Sequence, residues 1–285
     1  MPVGKGMSMI RLGFPVRWRV VALGLAGLLP GCQSVQTTQT GAVGVERRQS
    51  MLVSSASVNR DAAKAYQQVL ADARKKNQLN RDATQLARIR AISARLIPAT
   101  ASFRPDAPGW QWETNVITAK DVNAWCMPGG KIAVYTGLIE QLNATDAELA
   151  AVMGHEIAHA LREHGRERMS QAMGQSIAAG VLGVALGLGE IGQDLTSMVL
   201  DVTFGLPNSR LHETEADRIG VELAARAGYD PHAAVTLWEK MQKLGGGQPP
   251  QFLSTHPSHE SRIRDLQEYS RRVDPLYQAA KRPGS

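Results

Sequence analysis

Several things are scarce in this 285-residue sequence, and each scarcity closes off a class of protein. There are two cysteines, Cys32 and Cys126, so no disulfide framework can carry the fold. No apolar run is long enough to cross a bilayer, which takes about 18 residues or more. The two longest are Val20–Leu29 and the glycine-spaced stretch Ile177–Gly189. No segment recurs with a solenoid period. Aromatics make up 5% of the chain, and they do not interleave with basic residues. The formal charge is +6, but Lys5, Arg11, Arg17 and Arg19 all precede Val20, and removing those four cations leaves +2. A charge that small leaves no electrostatic footprint for nucleic acid, so no nucleic-acid partner is expected.

What is present begins with a targeting pattern. Basic residues ending at Arg17-Trp18-Arg19 lead into the apolar run from Val20, which stops at Leu29-Pro30-Gly31-Cys32. The order is that of a secretory signal over residues 1–31. Its end resembles the bacterial lipobox, which implies lipidation of Cys32 and a membrane-anchored, periplasm-facing protein of the cell envelope. Gln33 follows where an aspartate would favour the inner membrane, so the outer membrane is expected. With Cys32 acylated, Cys126 has no partner in the chain and reads as a buried apolar residue.

Beyond the signal, residues 32–58 are rich in Gln, Thr, Ser, Gly and Val without periodicity and read as a flexible tether. A body over 59–273 follows, then a frayed tail over 274–285. Helical periodicity runs from Arg60 to Leu96. Trp110–Thr118 reads as a strand. Asn123–Met127 and Lys131–Thr136 flank Pro128-Gly129-Gly130, a composition that predicts a hairpin. Asp146–Arg166 is strongly helical, with Thr145 and Glu148 at capping-box spacing. Ile177–Gly189 reads as a helix packed inside the domain. Ser209–Ala227, Pro231–Leu244 and Ser258–Arg272 complete the helical pattern. The expected class is α+β, mainly helical, with a small antiparallel sheet beside the active-site helix.

The chemistry concentrates in His155-Glu156-Ile157-Ala158-His159. On a helix, four residues advance about 400° and 6 Å, so both imidazoles lie on one face, a turn apart. That spacing lets both reach one zinc ion at about 2.0–2.1 Å. Glu156 lies about 100° around from His155, placed to take the proton of a zinc-activated water attacking a peptide carbonyl. The bland alternative is a pair of hydrogen-bonded core histidines.

A second segment, Ser209-Arg210-Leu211-His212-Glu213-Thr214-Glu215-Ala216-Asp217, argues against it. Together the two segments resemble the zinc metallopeptidase family of HtpX, BepA, LoiP and the CAAX prenyl proteases. That family carries Glu-x-x-Ala-Asp on a second helix. The resemblance covers about residues 60 to 270, is closest in form to the lipoprotein (LoiP-like) branch, and implies a zincin-like (gluzincin) domain binding one zinc per chain. It makes Glu213 the third ligand beside His155 and His159. Asp217, one turn on, becomes a residue that holds a ligand histidine or assists proton transfer. Asp121–Ala124 and Val134–Leu138 also look like the family, and by analogy with zincins one hairpin strand would pair with the substrate backbone. BepA-like members carry helical repeats after the catalytic part; none follow here, so that docking arm is not expected.

Thr255-His256-Pro257 resembles a family segment that approaches the metal. His256 could be a plug of the open position, a transition-state donor or a surface loop residue. Arg210 is the other metal-proximal candidate, with a salt bridge to a nearby carboxylate as its alternative. His164 reads as structural, His212 and His259 as solvated, and Trp110, Trp112 and Trp125 as core. The resulting expectation is a zinc endopeptidase of the envelope that hydrolyses misfolded or stalled envelope proteins, with outer-membrane assembly machinery as a possible partner. Two rivals stand beside it: a chaperone-like assembly factor with a latent or plugged metal site, and a structural lipoprotein without metal.

Overall fold

In the computed structural model, residues 33–185, 195–244, 250–257 and 261–282 are described. The expected signal over 1–31, the lipidation site Cys32 and His259 lie outside them. Two short strands, β1 (Gln33–Val35) and β2 (Gln49–Met51), pair antiparallel, and α1 (Ser55–Lys75) and α2 (Ala83–Ala99) follow. Strands β3 (Glu113–Ile117), β4 (Ala124–Met127) and β5 (Lys131–Tyr135) form the main sheet. Then come α3 (Thr136–Gln141), α4 (Asp146–Leu161), α5 (His164–Ala185), α6 (Leu195–Leu200) and a π-turn segment, Asp201–Gly205. The chain closes with α7 (Arg210–Arg226), α8 (Ala233–Leu244), α9 (Gln251–Thr255) and α10 (Arg262–Ala280). Among the described residues, no helix is long and apolar enough to cross a membrane.

The centre is α4, buried on every face from Glu148 to Leu161. A helix apolar all round needs neighbours all round. It has α7 and α8 among them, with α2 and β4 as further cover. Its start is set by the expected capping box: the Glu148 N–H reaches the Thr145 hydroxyl, and the Thr145 N–H donates to the Glu148 carboxylate at 2.9 Å. Between α4 and α7, glycine decides the distance. A Cβ on Gly154 would sit 2.9 Å from the Gly220 carbonyl oxygen, and one on Gly220 would sit 2.8 Å from the His155 amide nitrogen. Only a Gly–Gly contact lets the two backbones approach this closely.

Four expectations need correction. The sheet is mixed, in the order β3-β5-β4: β5 pairs antiparallel with β4 across the hairpin but parallel with β3. The hairpin itself is as expected, with Gly129 and Gly130 both at positive φ, about 80°, a conformation that side chains resist. Thr118–Asn123 then carries the chain past β5, so β5 ends up central. The tether over 32–58 is instead a strap packed on the domain. Val43, Val45, Met51 and Val53 are buried, and the Val43 N–H donates to Glu222 at 3.0 Å. The frayed tail from 274 is helical to Ala280, because Leu276 and Tyr277 pack against the core and carry the helix past Pro275. The apolar stretch from Ile177 is not packed inside the domain where it is described: Ile177 is 44% exposed and Ala178 is exposed. Residues 186–194 lie outside the described part.

Candidate metal centre

The close approach of α4 and α7 brings three of the expected groups together. His155 and His159 face α7 from one side of α4, with their Nε2 atoms 3.1 Å apart. Glu213, in the first turn of α7, puts its carboxylate oxygens 3.4 Å from His155 Nε2 and 3.3 Å from His159 Nε2. The α7 start is set by Ser209, whose hydroxyl accepts from the His212 N–H. His256, just beyond α9, places Nδ1 3.0 Å from Glu213 and 3.2 Å from His155. It is buried, so of the three readings the surface-loop one is excluded.

Two donors each about 2.0–2.1 Å from one ion at a tetrahedral angle are about 3.3–3.4 Å apart. The separations here run from 3.0 to 3.4 Å. All four donor atoms lie within 4.8 Å of one another, and all four side chains are buried. Two or three imidazoles with one carboxylate is a donor set that suits zinc. The residues therefore fit the ion that the motif implies.

Glu156 sits beside this cluster. It is 4% exposed, its Oε1 has no hydrogen-bond partner, and it lies 3.4 Å from His256 Nε2. Burial pushes its pKa up, with His256 and His155 opposing. An unpartnered buried carboxylate oxygen is costly and calls for a role. The cleft it faces is lined from the other side by Asn123 and by Ala124, Trp125 and Cys126 of β4. Cys126 is half-buried rather than buried outright, and burial raises its thiol pKa.

Asp217 is 2.9 Å from His155 Nδ1, on the ring edge away from Glu213. That arrangement holds the ring with Nε2 toward the cluster. Burial works against charge on His155, but Asp217 and Glu213 outweigh it and raise its pKa to about 9. His159 goes the other way, well below its ordinary value, because burial dominates there. Burial alone would raise Glu213, yet His256 and His155 keep it well below the carboxylate range.

Arg210 does not belong to the site. It is exposed at the start of α7. The arginine that reaches the site is Arg262 of α10. It is 1% exposed, donates to Glu213 at 2.8 Å and to Asp217 at 2.7 Å, and lies 3.4 Å over the Trp238 ring. Nothing local marks Arg262 among the arginines of the C-terminal region; its one hint is its place six residues after His256. His212, expected to be solvated, is buried with Nε2 3.2 Å from Glu167. His164 is buried against His159. Arg168 and Asn208 were also not foreseen: Arg168 donates to the Asn208 side chain, whose amide nitrogen reaches the Thr255 carbonyl beside His256.

An HExxH helix, a glutamate from a second helix and a free carboxylate beside them define the class, a zinc metallopeptidase. Residues 83–270 match the model of Peptidase family M48, and the chain belongs to that family. It is 28% identical over 262 residues to Metalloprotease LoiP of Escherichia coli, covering 89% of this chain and 96% of that protein. It is 42% identical over 158 residues to Mitochondrial metalloendopeptidase OMA1 of Arabidopsis thaliana, covering 55% of this chain and 31% of that one. A candidate β-barrel assembly-enhancing protease of Vibrio cholerae is 32% identical over 170 residues, covering 56% and 35%. The chain spans about a third to a half of the length of the mitochondrial relatives it matches.

Proposed function

We propose that this chain is a zinc-dependent endopeptidase, with His155, His159 and Glu213 as the zinc ligands and Glu156 as the catalytic base. The observation that carries the reading is the convergence of the three ligand side chains beside the unpartnered, buried oxygen of Glu156. Bound zinc supplies a Lewis acid that makes water nucleophilic near neutral pH and polarises a carbonyl. The chain's own residues do the rest. Glu156 takes the proton of the attacking water and passes it to the leaving amide nitrogen as the C–N bond breaks. Asp217 keeps His155 in the tautomer that offers Nε2. Arg262 donates to both Glu213 and Asp217 and offsets part of their charge, which helps two carboxylates share a buried site. Among the described residues β4 is an edge strand, so its outer side can pair with an extended substrate. Such pairing needs an unfolded stretch and reads backbone rather than sequence, which suits misfolded or stalled proteins as substrates.

We place the enzyme in the bacterial cell envelope, anchored through Cys32 and facing the periplasm from the outer membrane. The lipobox-like end of the signal supports this, as do the likenesses to LoiP and to the Vibrio cholerae protein. The β-barrel assembly role in that protein's name makes outer-membrane assembly machinery the partner to test first. Incubating the full chain with an unfolded protein substrate, with and without a chelator, tests the activity. Cleavage that persists undiminished after zinc removal would sink the proposal.

One observation favours a second reading, a chaperone-like factor with a latent site. A catalytic zinc site keeps a position open, whereas a closed site has four protein donors, and His256 stands here as the fourth. If His256 is a plug, His256→Ala raises the cleavage rate; if the site serves no hydrolysis, Glu156→Gln leaves the cellular effect intact.

A further inference from the structure

Behind His159 runs a line of side chains that the reaction above does not use. His159 Nδ1 is 2.8 Å from His164 Nδ1, and His164 Nε2 is 2.9 Å from Glu215 Oε2. Glu215 also accepts from Arg162 at 3.1 Å and from Arg47 Nε at 2.8 Å. Arg47 lies between β1 and β2 and spans to Glu167 as well, donating from Nη1 at 2.6 Å and Nη2 at 2.8 Å. His164, Glu215, Arg162 and Glu167 are all buried. The strap is stitched down around Arg47. The Thr37 hydroxyl and the Gln49 amide both donate to the Arg162 carbonyl, and Arg162 Nη2 donates to the Arg47 carbonyl.

The hydrogen-bond directions along this line follow by elimination. Glu215, held by two arginines, is an acceptor, so His164 carries its proton on Nε2. A neutral His164 then has its lone pair on Nδ1 and can only accept from His159. His159 therefore carries its proton on Nδ1, and its Nε2 lone pair points into the ligand cluster. A ligand histidine is usually oriented by a carboxylate or carbonyl on its other nitrogen; here a second imidazole stands between.

We propose that His164, Glu215 and Arg47 are positioning residues for the zinc ligand His159, so that the N-terminal strap Gln33–Val53 is a working part of the metal site. This rests on the reading of the site as a zinc centre. The decisive variant is Glu215→Gln, which keeps the shape of the side chain. Its amide can donate to His164 Nε2, which reverses every proton in the line and turns an N–H of His159 toward the metal.

Zinc affinity of the full chain in detergent, measured by competition with a chromophoric chelator, is expected to fall about 10- to 100-fold in Glu215→Gln and in Arg47→Ala. Arg47→Lys, which restores one cation, should recover part of it. Glu222→Gln serves as the control, since it loosens the strap at Val43 without touching the line. It should lower the melting temperature and leave zinc affinity unchanged. Affinity in Glu215→Gln equal to that of the unaltered chain would overturn the proposal. So would an Arg47→Ala loss no larger than that of Glu222→Gln. Nitrogen-15 NMR of the zinc-loaded, unaltered chain provides a test that needs no variant. It should find the proton on Nδ1 of His159 and Nε2 of His164, and the reverse pattern would sink the line while leaving the zinc site standing. An unaltered chain that bound no zinc would sink both.

Discussion

His155 and His159 are one turn apart on the same helix, yet opposite ends of the chain hold them. Behind His155 stand Asp217 and Arg262, a carboxylate and its cation, with the cation supplied by the C-terminal helix α10. Behind His159 stand His164 and Glu215, with Arg47 supplied by the N-terminal strap. The first arrangement puts an anion directly against the ring and raises its proton affinity; the second puts a neutral ring between and does not. A two-histidine motif is symmetric in sequence, and its supports are not. On the proposal above, metal binding is coupled to docking of both the strap and α10.

Substitutions can break or sharpen that contrast, and the largest effect should come from a residue that belongs to neither half. Glu156→Gln leaves both supports in place, so proteolysis should fall about 100- to 10,000-fold, while zinc content stays at that of the unaltered chain. Loss of zinc in this variant would mean that Glu156 is structural. Next is Arg262→Met, which removes the one arginine shared by the buried carboxylates Glu213 and Asp217. A cost of about 3–5 kcal/mol is expected in denaturant unfolding, against about 1–2 kcal/mol for Arg47→Met, whose side chain is 25% exposed. Equal costs would erase the distinction between the two halves.

Gly220→Ala acts on both halves at once by pushing α7 off the His155 backbone. About 1–3 kcal/mol of stability should be lost, with weaker zinc binding. Unchanged metal affinity would mean that the helix spacing has slack.

The smallest effect concerns acid on the strap side. Burial would raise Glu215 and Glu167. Hydrogen bonds from His164 and Arg47 nevertheless hold Glu215 to about 2, and those from Arg47, His212 and Gln49 hold Glu167 below the usual range. Groups with depressed folded-state values add stability above their ordinary value, near 4.5, and lose it as pH falls toward the folded value. The melting temperature should therefore drop between about pH 4.5 and pH 2, and Arg47→Ala should flatten that drop. An identical acid slope in the variant would show that Arg47 does not hold these carboxylates.

Much of the site was legible because its signals are local. The HExxH spacing and the capping box at Thr145 each need only a few neighbouring residues and helix geometry. Glu213 and Asp217 came from the resemblance, one turn apart on the helix that the pattern predicts. The strap reads as a tether in the sequence because it has no periodicity. Its order comes from single long-range bonds, such as Gln49 to the Arg162 carbonyl, which leave no pattern in composition. Arg210 stands out in the sequence because it neighbours the second motif, but it is exposed, while α10 brings Arg262 in from 49 residues away.

By itself, then, the sequence determined where the HExxH helix starts and which side chains on it can bind a metal, since these depend on spacing and a cap within a turn or two. The tertiary structure alone decided which cation neutralises the ligand carboxylate, that His256 closes on the site, and that a strap from the N-terminal side backs His159. Those outcomes turn on distances between residues far apart in the chain, set here by the Gly154–Gly220 contact and by packing around a helix buried on all sides.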